Sequence, residues 1–140
     1  MSEKIKDKIG DIHLYLSKLI DILPESFDLY KSSDEKRWSC EHGFEKIAEA
    51  IADLSFLVVK DKKLLGAKDD FSVFDILEKN NIIEKNTAEK MQGIKKMRNI
   101  ISHQYGEVDD SKVFDALSNY FERDVEEFIS SIEKSIKEKK

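Results

Sequence analysis

The sequence of 140 residues contains few of the residues that break helices or cross-link a small fold: one cysteine, one proline and five glycines. A single cysteine, Cys40, excludes an internal disulfide and fits a reducing compartment. With 40% hydrophobic and 38% charged residues, the composition is typical of a helical bundle. A chain of this length buries one core, so we expect a single domain over residues 1–140.

Long hydrophobic runs and an excess of basic residues are also missing. No stretch approaches the roughly 20 uninterrupted apolar residues of a membrane span. Residues 1–16 are amphipathic and carry acids, unlike a secretory signal or a transit peptide, so we expect a cytoplasmic protein without membrane contact. The net charge of −5 argues against a general nucleic-acid coat, but it allows an enzyme that binds RNA at one small site.

Apolar residues recur at spacings of three and four along most of the chain, which predicts amphipathic helices. The first helix should run over residues 3–23, because Pro24 ends it, and residues 24–33 should form a connector or a short irregular turn. The second helix should cover about residues 34–60, with Trp38 in its apolar stripe.

Three further helices follow in the second half of the chain. A short one, FSVFDILEK, should have Asp70 as its cap, and a fourth opens at NTAE with Asn86 as its cap and stops by Gly106. A fifth should start after Asp109 and run almost to the end of the chain. The predicted fold class is therefore all-α, an up-and-down four-helix bundle with an additional short helix.

The fourth helix ends in RNIISHQY, residues 98–105, which concentrates polar chemistry in eight residues. At about 100° per residue, Tyr105 lies roughly 20° from Arg98 around the helix. Asn99 and His103 are four residues apart and therefore neighbours, about 100–140° round from Arg98. A basic run precedes the motif: Lys90, Lys95 and Lys96. One helix end can thus present arginine, asparagine, histidine and tyrosine along a broad polar strip.

Two interpretations of this strip are open. It could be an ordinary helix terminus, where cationic side chains gain about 0.3–1 kcal/mol from the helix dipole. It could also cleave RNA without a metal, which needs a group that moves protons near neutral pH and a fixed cation for the phosphate. Histidine suits the first task and arginine the second, and the asparagine could orient the imidazole or donate to a phosphate oxygen. Because one histidine and one arginine are few for catalysis, we expect a homodimer that brings two strips together.

The motif resembles a known signature. Arg98, His103 and Tyr105, preceded by MQGIKKM and followed by GEVDDSKVF, resemble the signature of the HEPN superfamily, closest to its HepT-like branch. Residues 37–59 are similar to the second helix of that branch, and residues 69–91 match its next segment in layout. The resemblance implies an all-helical, HEPN-like fold.

It also implies a function. HepT-like proteins are homodimeric, metal-independent endoribonucleases that act as toxins of type VII toxin–antitoxin systems, so the resemblance implies an RNA substrate and no cofactor. Arg98 and His103 would be the catalytic residues, with Asn99 in support. Tyr105 would position the substrate and accept AMP, which the antitoxin, a cognate minimal nucleotidyltransferase of the MntA type, transfers from ATP.

An acidic residue on the second helix sometimes supports such sites. Asp53 is the candidate here, with Glu45 and Glu49 as alternatives. No metal site is expected, because Cys40 and His42 form only one loose pair of ligands.

A rival function from another class also fits the sequence. The chain could be a non-catalytic HEPN-type module whose dimer binds a nucleotidyltransferase or a nucleotide as a scaffold. Cleavage of labelled RNA in EDTA separates the enzyme from the scaffold.

Overall fold

The computed structural model describes residues 2–103 and 108–137, and within these ranges all regular secondary structure is α-helix. The helices are α1 (Glu3–Ile22), α2 (Phe27–Ser32), α3 (Asp34–Asp61), α4 (Ser72–Lys79), α5 (Lys85–His103), α6 (Asp110–Asn119) and α7 (Phe121–Lys137). The all-α prediction is confirmed, although the structure adds α2 and divides the last predicted helix into two. In the described part of the chain, no helix is both long enough and apolar enough to cross a bilayer.

The first two long helices begin at the predicted residues and end within one residue of the predicted ends. Ser2 caps α1 by accepting a hydrogen bond from the backbone N–H of Ile5 at 3.2 Å, and Ser33 caps α3 in the same way through Lys36. α1 packs along α3 and buries five residues of its predicted stripe: Ile5, Ile9, Ile12, Leu16 and Leu19. Each such aliphatic side chain contributes about 1.5–3 kcal/mol on burial.

The stripe predicted for α3 is wrong at one position, Trp38, whose side chain is 70% exposed. Phe44, farther along α3, is buried in the core. Six residues separate the two, a rotation of about 240° around the helix, so they do not share a face. Cys40 occupies the inward position instead and is fully buried.

The predicted connector contains a helix of its own, α2. Ser26 caps it by accepting from the N–H of Leu29 at 3.2 Å. Tyr30 is buried, and its ring contacts that of Phe114 on α6, with 5.2 Å between the centroids. Six residues are too few to show helical periodicity in the sequence, so α2 is visible only through its packing on α3 and α6.

The last predicted helix is interrupted at Tyr120, where the backbone leaves helical angles at φ −140°. The Asn119 side-chain amide donates to Asp115 Oδ1 at 2.6 Å, and the Tyr120 hydroxyl donates to the same carboxylate. The apolar stripe hides this break, because Leu117, Phe121 and Val125 are all buried at a spacing of four. No glycine or proline marks the position in the sequence.

Two predicted caps are also wrong. α4 begins at Ser72, with Phe71 at its N-cap position and no side-chain cap, so Asp70 is not its cap. In the turn before the helix, Asp69 Oδ1 accepts from the backbone N–H groups of Phe71 and Ser72 at 3.1 and 2.7 Å. α5 begins at Lys85, one residue before Asn86, so Asn86 is not its cap. By contrast, Asp109 caps α6 as its position before the last helices suggested.

Candidate active site

α5 carries the motif and is fixed against three other helices, α3, α4 and α7. The predicted apolar stripe holds it there, since Met91 and Ile101 are buried and Ile94 and Met97 pack partly buried against the core. With the apolar side of α5 buried in this way, the polar side chains of its last two turns lie at or near the surface. The stripe therefore determines which way the motif faces.

The basic run before the motif does not form one patch. Lys90 pairs with two acids of α7, Asp124 at 3.3 Å and Glu127 at 3.5 Å. Lys95 pairs instead with Asp70 at 2.6 Å, on the loop before α4. Lys90 is thus committed to the packing of α5 on α7, and only the later basic residues lie beside Arg98.

Arg98 is the most constrained of the expected site residues. Its side chain is 31% exposed, and its Nη1 atom lies 4.0 Å from Asp70 Oδ2. Its Nε atom is buried, and within the described ranges it has no hydrogen-bond partner. A buried N–H donor without a partner carries a desolvation cost of about 1–3 kcal/mol. The rest of the side chain is partly exposed and lies 4.0 Å from its acidic neighbour, so the guanidinium can receive an oxyanion.

Asn99 and His103 both lie exposed on α5, four residues apart. This spacing makes them neighbours on the helix surface, as predicted. His103 is the last residue of α5. An exposed imidazole in this position can exchange protons with a bound substrate.

An acidic residue of α3 does reach the motif helix, and it is Glu45. The hydroxyl of Ser102, directly before His103, donates to Glu45 Oε2 at 3.2 Å. Two further acids lie close by: Glu41, one turn earlier on α3, and Asp110 at the start of α6. Burial, with repulsion from Asp110 and Glu45, raises the pKa of the Glu41 carboxyl. This end of α5 is therefore bordered by acids on the α3 side.

Asp53, the acid expected to support the site, lies on another part of the molecule. Its carboxylate is paired with Lys8 of α1 at 3.4 Å. Both residues line a surface hollow of about 530 Å³ between α1 and α3. Asp53 is also eight residues from Glu45, or about 12 Å along the helix axis. The structure thus brings Glu45, one of the two alternatives, to the motif helix, whereas Asp53 pairs with α1 and Glu49 is exposed.

Tyr105, the expected site of modification, lies outside the described residues, which stop at 103 and resume at 108. Its role stays a prediction.

The loose cysteine–histidine pair does not form a site. Cys40 is buried in the core and burial raises the pKa of its thiol to about 11, whereas His42 is exposed. Within residues 2–103 and 108–137, no cluster of three or more histidine, cysteine, aspartate or glutamate side chains is arranged to hold a metal ion.

Sequence reasoning missed Asp70 and Lys95 as members of the site. The motif spacing points only to residues of α5, whereas Asp70 reaches Arg98 from a loop almost thirty residues earlier. Its position before FSVFDILEK suggested a helix cap, whereas its carboxylate contacts Lys95 and Arg98 of α5. Lys95 is three residues before Arg98, one turn away, so helical spacing could have identified it as a neighbour.

The chain matches the family model described as "Ribonuclease HepT-like" over residues 12–132. A search among curated proteins finds no significant match.

Solved structures with the same fold are also found. The tri-AMPylated HEPN toxin of Shewanella oneidensis, in complex with MNT antitoxin, superposes with a TM-score of 0.88 at 22% identity, covering 96% of this chain and 99% of that one. A toxin–antitoxin structure with AMP-PNP gives 0.87 at 20% identity, covering 95% and 99%. YutE of Bacillus subtilis, a cytosolic protein of unknown function, gives 0.79 at 13% identity, covering 96% and 89%. At these identities the likeness shows that the fold is shared over nearly the whole length.

Proposed function

Because the chain belongs to the HepT-like ribonuclease family, we propose that it is a metal-independent endoribonuclease that cleaves cellular RNA in the cytoplasm. We propose further that it is the toxin of a type VII toxin–antitoxin pair. The observation that carries the proposal is the end of α5, where an arginine with an unpartnered buried N–H lies five residues from an exposed histidine. These are the two groups that RNA cleavage without a metal requires.

Each motif residue has a task in this reaction. Arg98 binds the scissile phosphate through its free N–H groups and stabilises the charge that grows on the phosphorane. His103 moves the proton of the attacking 2′-hydroxyl or of the leaving 5′-oxygen. Asn99, its neighbour on the helix, orients the imidazole. Glu45, through Ser102, fixes the last turn of α5 against α3, and we assign to it the supporting role first expected of Asp53.

The site is proposed to be shared between two copies of the chain. Arg98 and His103 are five residues apart, so their Cβ atoms diverge by about 140° around α5. Arg98 turns toward the loop before α4, and His103 lies at the exposed end of the helix. A homodimer with a two-fold axis near the end of α5 would bring Arg98 of one copy beside His103 of the other.

Cleavage of end-labelled, single-stranded RNA in excess EDTA tests the catalytic assignment. The wild type should cleave, whereas Arg98→Ala and His103→Ala should each lose at least about 100-fold in rate. For His103→Ala the reason is that general acid–base groups contribute about 10²–10⁴, and for Arg98→Ala that a lost charge-stabilising donor costs about 10²–10³. His42→Ala is the matched control, because this exposed histidine lies on α3 outside the motif. Wild-type activity in a folded His103→Ala protein would refute the assignment.

The proposed partner is a minimal nucleotidyltransferase antitoxin that transfers AMP to Tyr105. The HEPN toxin whose fold matches was solved in a tri-AMPylated form with MNT antitoxin. An adenylyl group adds a phosphate and bulk to the residue two positions after His103. The sequence spacing predicts that Tyr105 lies on the same side as Arg98, and on that prediction the phosphate would compete with RNA for the guanidinium. Modification would therefore switch the nuclease off.

Intact-mass spectrometry after co-expression with a neighbouring nucleotidyltransferase gene tests this step. We expect mass gains in whole adenylyl units, lost in Tyr105→Phe. Tyr120→Phe is the matched control, because the Tyr120 side chain is exposed but its hydroxyl is bound to Asp115. The same mass gains in Tyr105→Phe as in the wild type would contradict the assignment. A protein that cleaves RNA but gains no mass on co-expression would support the nuclease and contradict its control by adenylylation.

A further inference from the structure

Asp70 places one carboxylate between two cations of the motif helix. Its Oδ2 atom lies 2.6 Å from Lys95 Nζ and 4.0 Å from Arg98 Nη1. Lys95 and Arg98 are three residues apart and therefore occupy adjacent turns of the same side of α5. The Asp70 side chain is 34% exposed, so solvent screens the pair only in part.

The loop that carries Asp70 is attached to α5 by independent contacts. The Gln92 side-chain amide donates to the carbonyl of Phe71 at 3.1 Å and to Asp75 Oδ1 at 3.0 Å. The Lys96 ammonium lies over the ring of Phe71, 5.5 Å from its centroid. These contacts fix the position of Asp70 relative to the helix, so its carboxylate is a fixed charge beside the guanidinium.

The contact with Arg98 differs from that with Lys95. The Lys95 contact is a close ion pair at 2.6 Å, whereas the 4.0 Å between Asp70 and Arg98 is too long for a hydrogen bond. Arg98 therefore feels the charge of Asp70 without donating its N–H groups to it, and its Nε has no partner in the described part of the protein. A guanidinium that is attracted to one side, and makes no hydrogen bond to the carboxylate that attracts it, is oriented for a second anion.

We propose that Asp70 is a positioning residue for Arg98: anchored by Lys95, its carboxylate holds the guanidinium in the orientation in which it receives the RNA phosphate. This rests on the proposed function for the identity of the anion. The arrangement has a cost, because a negative charge beside the phosphate site weakens phosphate binding. Asp70→Asn should therefore slow cleavage and, at the same time, tighten RNA binding.

Nitrogen NMR of the full chain tests the positioning without any RNA. The sequence contains only three arginines, Arg37, Arg98 and Arg123, so the Nε–H spectrum has three signals, and Arg98→Lys identifies the relevant one. We expect the ¹⁵N–{¹H} NOE of Arg98 Nε to be high in the wild type and to fall in Asp70→Asn. Asp70→Glu, which keeps the charge, should restore part of it.

Asp75→Asn is the matched control, since it removes the same charge from a side chain that does not contact Arg98 and keeps the Oδ1 atom that accepts from Gln92. Its Arg98 signal should match the wild type. The backbone amide spectrum shows whether each variant is folded. An Arg98 signal equally rigid in all variants, or as mobile in the wild type as that of the more exposed Arg123, would overturn the proposal.

RNA kinetics then distinguish this proposal from the proposed function. For Asp70→Asn we expect kcat to fall about tenfold. The Kd for RNA, measured in a His103→Ala background, should fall about threefold, as expected when one negative charge about 6 Å from the RNA phosphate is removed in water. Values equal to those of Asp75→Asn would overturn the positioning role while the nuclease stands. If the wild type cleaves no RNA, the proposed function fails, and the NMR result alone decides on Asp70.

Discussion

Tyr30 is the largest fully buried side chain with an unmet polar group: in the part of the chain that the structure describes, its hydroxyl has no hydrogen-bond partner. Burial also raises the pKa of this phenol, followed by repulsion from Glu41. Tyr30→Phe keeps the ring contact with Phe114 and removes the desolvated hydroxyl. We expect the free energy of unfolding to rise by about 1 kcal/mol in urea melts. A loss of that size would show that the hydroxyl is bonded.

Glu41 gives a pH-dependent prediction at the same end of the bundle. Its carboxyl pKa is raised in the folded protein above its ordinary value of 4.5, chiefly by burial. The folded state therefore binds this proton more tightly than the unfolded chain does, and stability falls as the pH rises through that interval. Glu41→Gln should melt at a higher temperature than the wild type at pH 7.

The same linkage fixes the result at low pH. Below the unfolded pKa, both states of the wild type are protonated at Glu41, so the advantage of Glu41→Gln should disappear near pH 4. Calorimetry at the two pH values measures both. A Glu41→Gln protein that melts lower at pH 7 would mean that attraction to Arg37 outweighs the burial.

Individual residues also show what a sequence can and cannot predict about this site. Arg98, Asn99 and His103 were identified from spacing and resemblance alone, and the structure places all three on one helix end. Asp70 was not, because a contact between a loop and a helix almost thirty residues apart has no local pattern. The structure places Glu45 beside α5 and Asp53 beside α1. The sequence could not separate the two, because helical periodicity does not show which neighbouring helix each face of α3 contacts.

At the level of elements, α5 contains a glycine that its packing does not need. A Cβ at Gly93 would meet nothing within 4 Å. Gly93→Ala should therefore stabilise the motif helix by about 0.5–1 kcal/mol through helix propensity, raising Tm by about 2–4 °C. Differential scanning fluorimetry measures the change.

Gly66→Ala is the matched opposite case, in the loop between α3 and α4. Gly66 has φ +101°, and a Cβ there would lie 3.1 Å from Ile76 Cδ1. Alanine should destabilise the protein by about 1 kcal/mol or more. Equal changes in Tm for Gly93→Ala and Gly66→Ala would contradict the prediction that only Gly66 needs a conformation that favours glycine.

Helix boundaries follow the same division between local and distant causes. The starts of α1, α3 and α6 were predictable because Ser2, Ser33 and Asp109 cap them by local hydrogen bonds. The break at Tyr120 was not predictable, because side-chain hydrogen bonds interrupt the helix where the apolar periodicity continues. The helix α2 was not predictable either, because it is too short to show a periodicity and is held by its packing on α6.

For the whole molecule, the central claim is that two copies of the chain complete each cleavage site. The chain belongs to the HepT-like ribonuclease family. The helical spacing of Arg98 and His103 turns their side chains about 140° apart around α5. A heterodimer of Arg98→Ala and His103→Ala chains then contains one site with both native residues and one with neither. In the homodimer of either variant, both sites lack one of the two native residues.

RNA cleavage by that purified heterodimer, prepared with two affinity tags, is the most direct test. We expect both variant homodimers to be inactive and the heterodimer to recover about half of the wild-type rate, since one of two symmetric sites is intact. A heterodimer as inactive as the homodimers, beside an active wild type, would contradict the shared site.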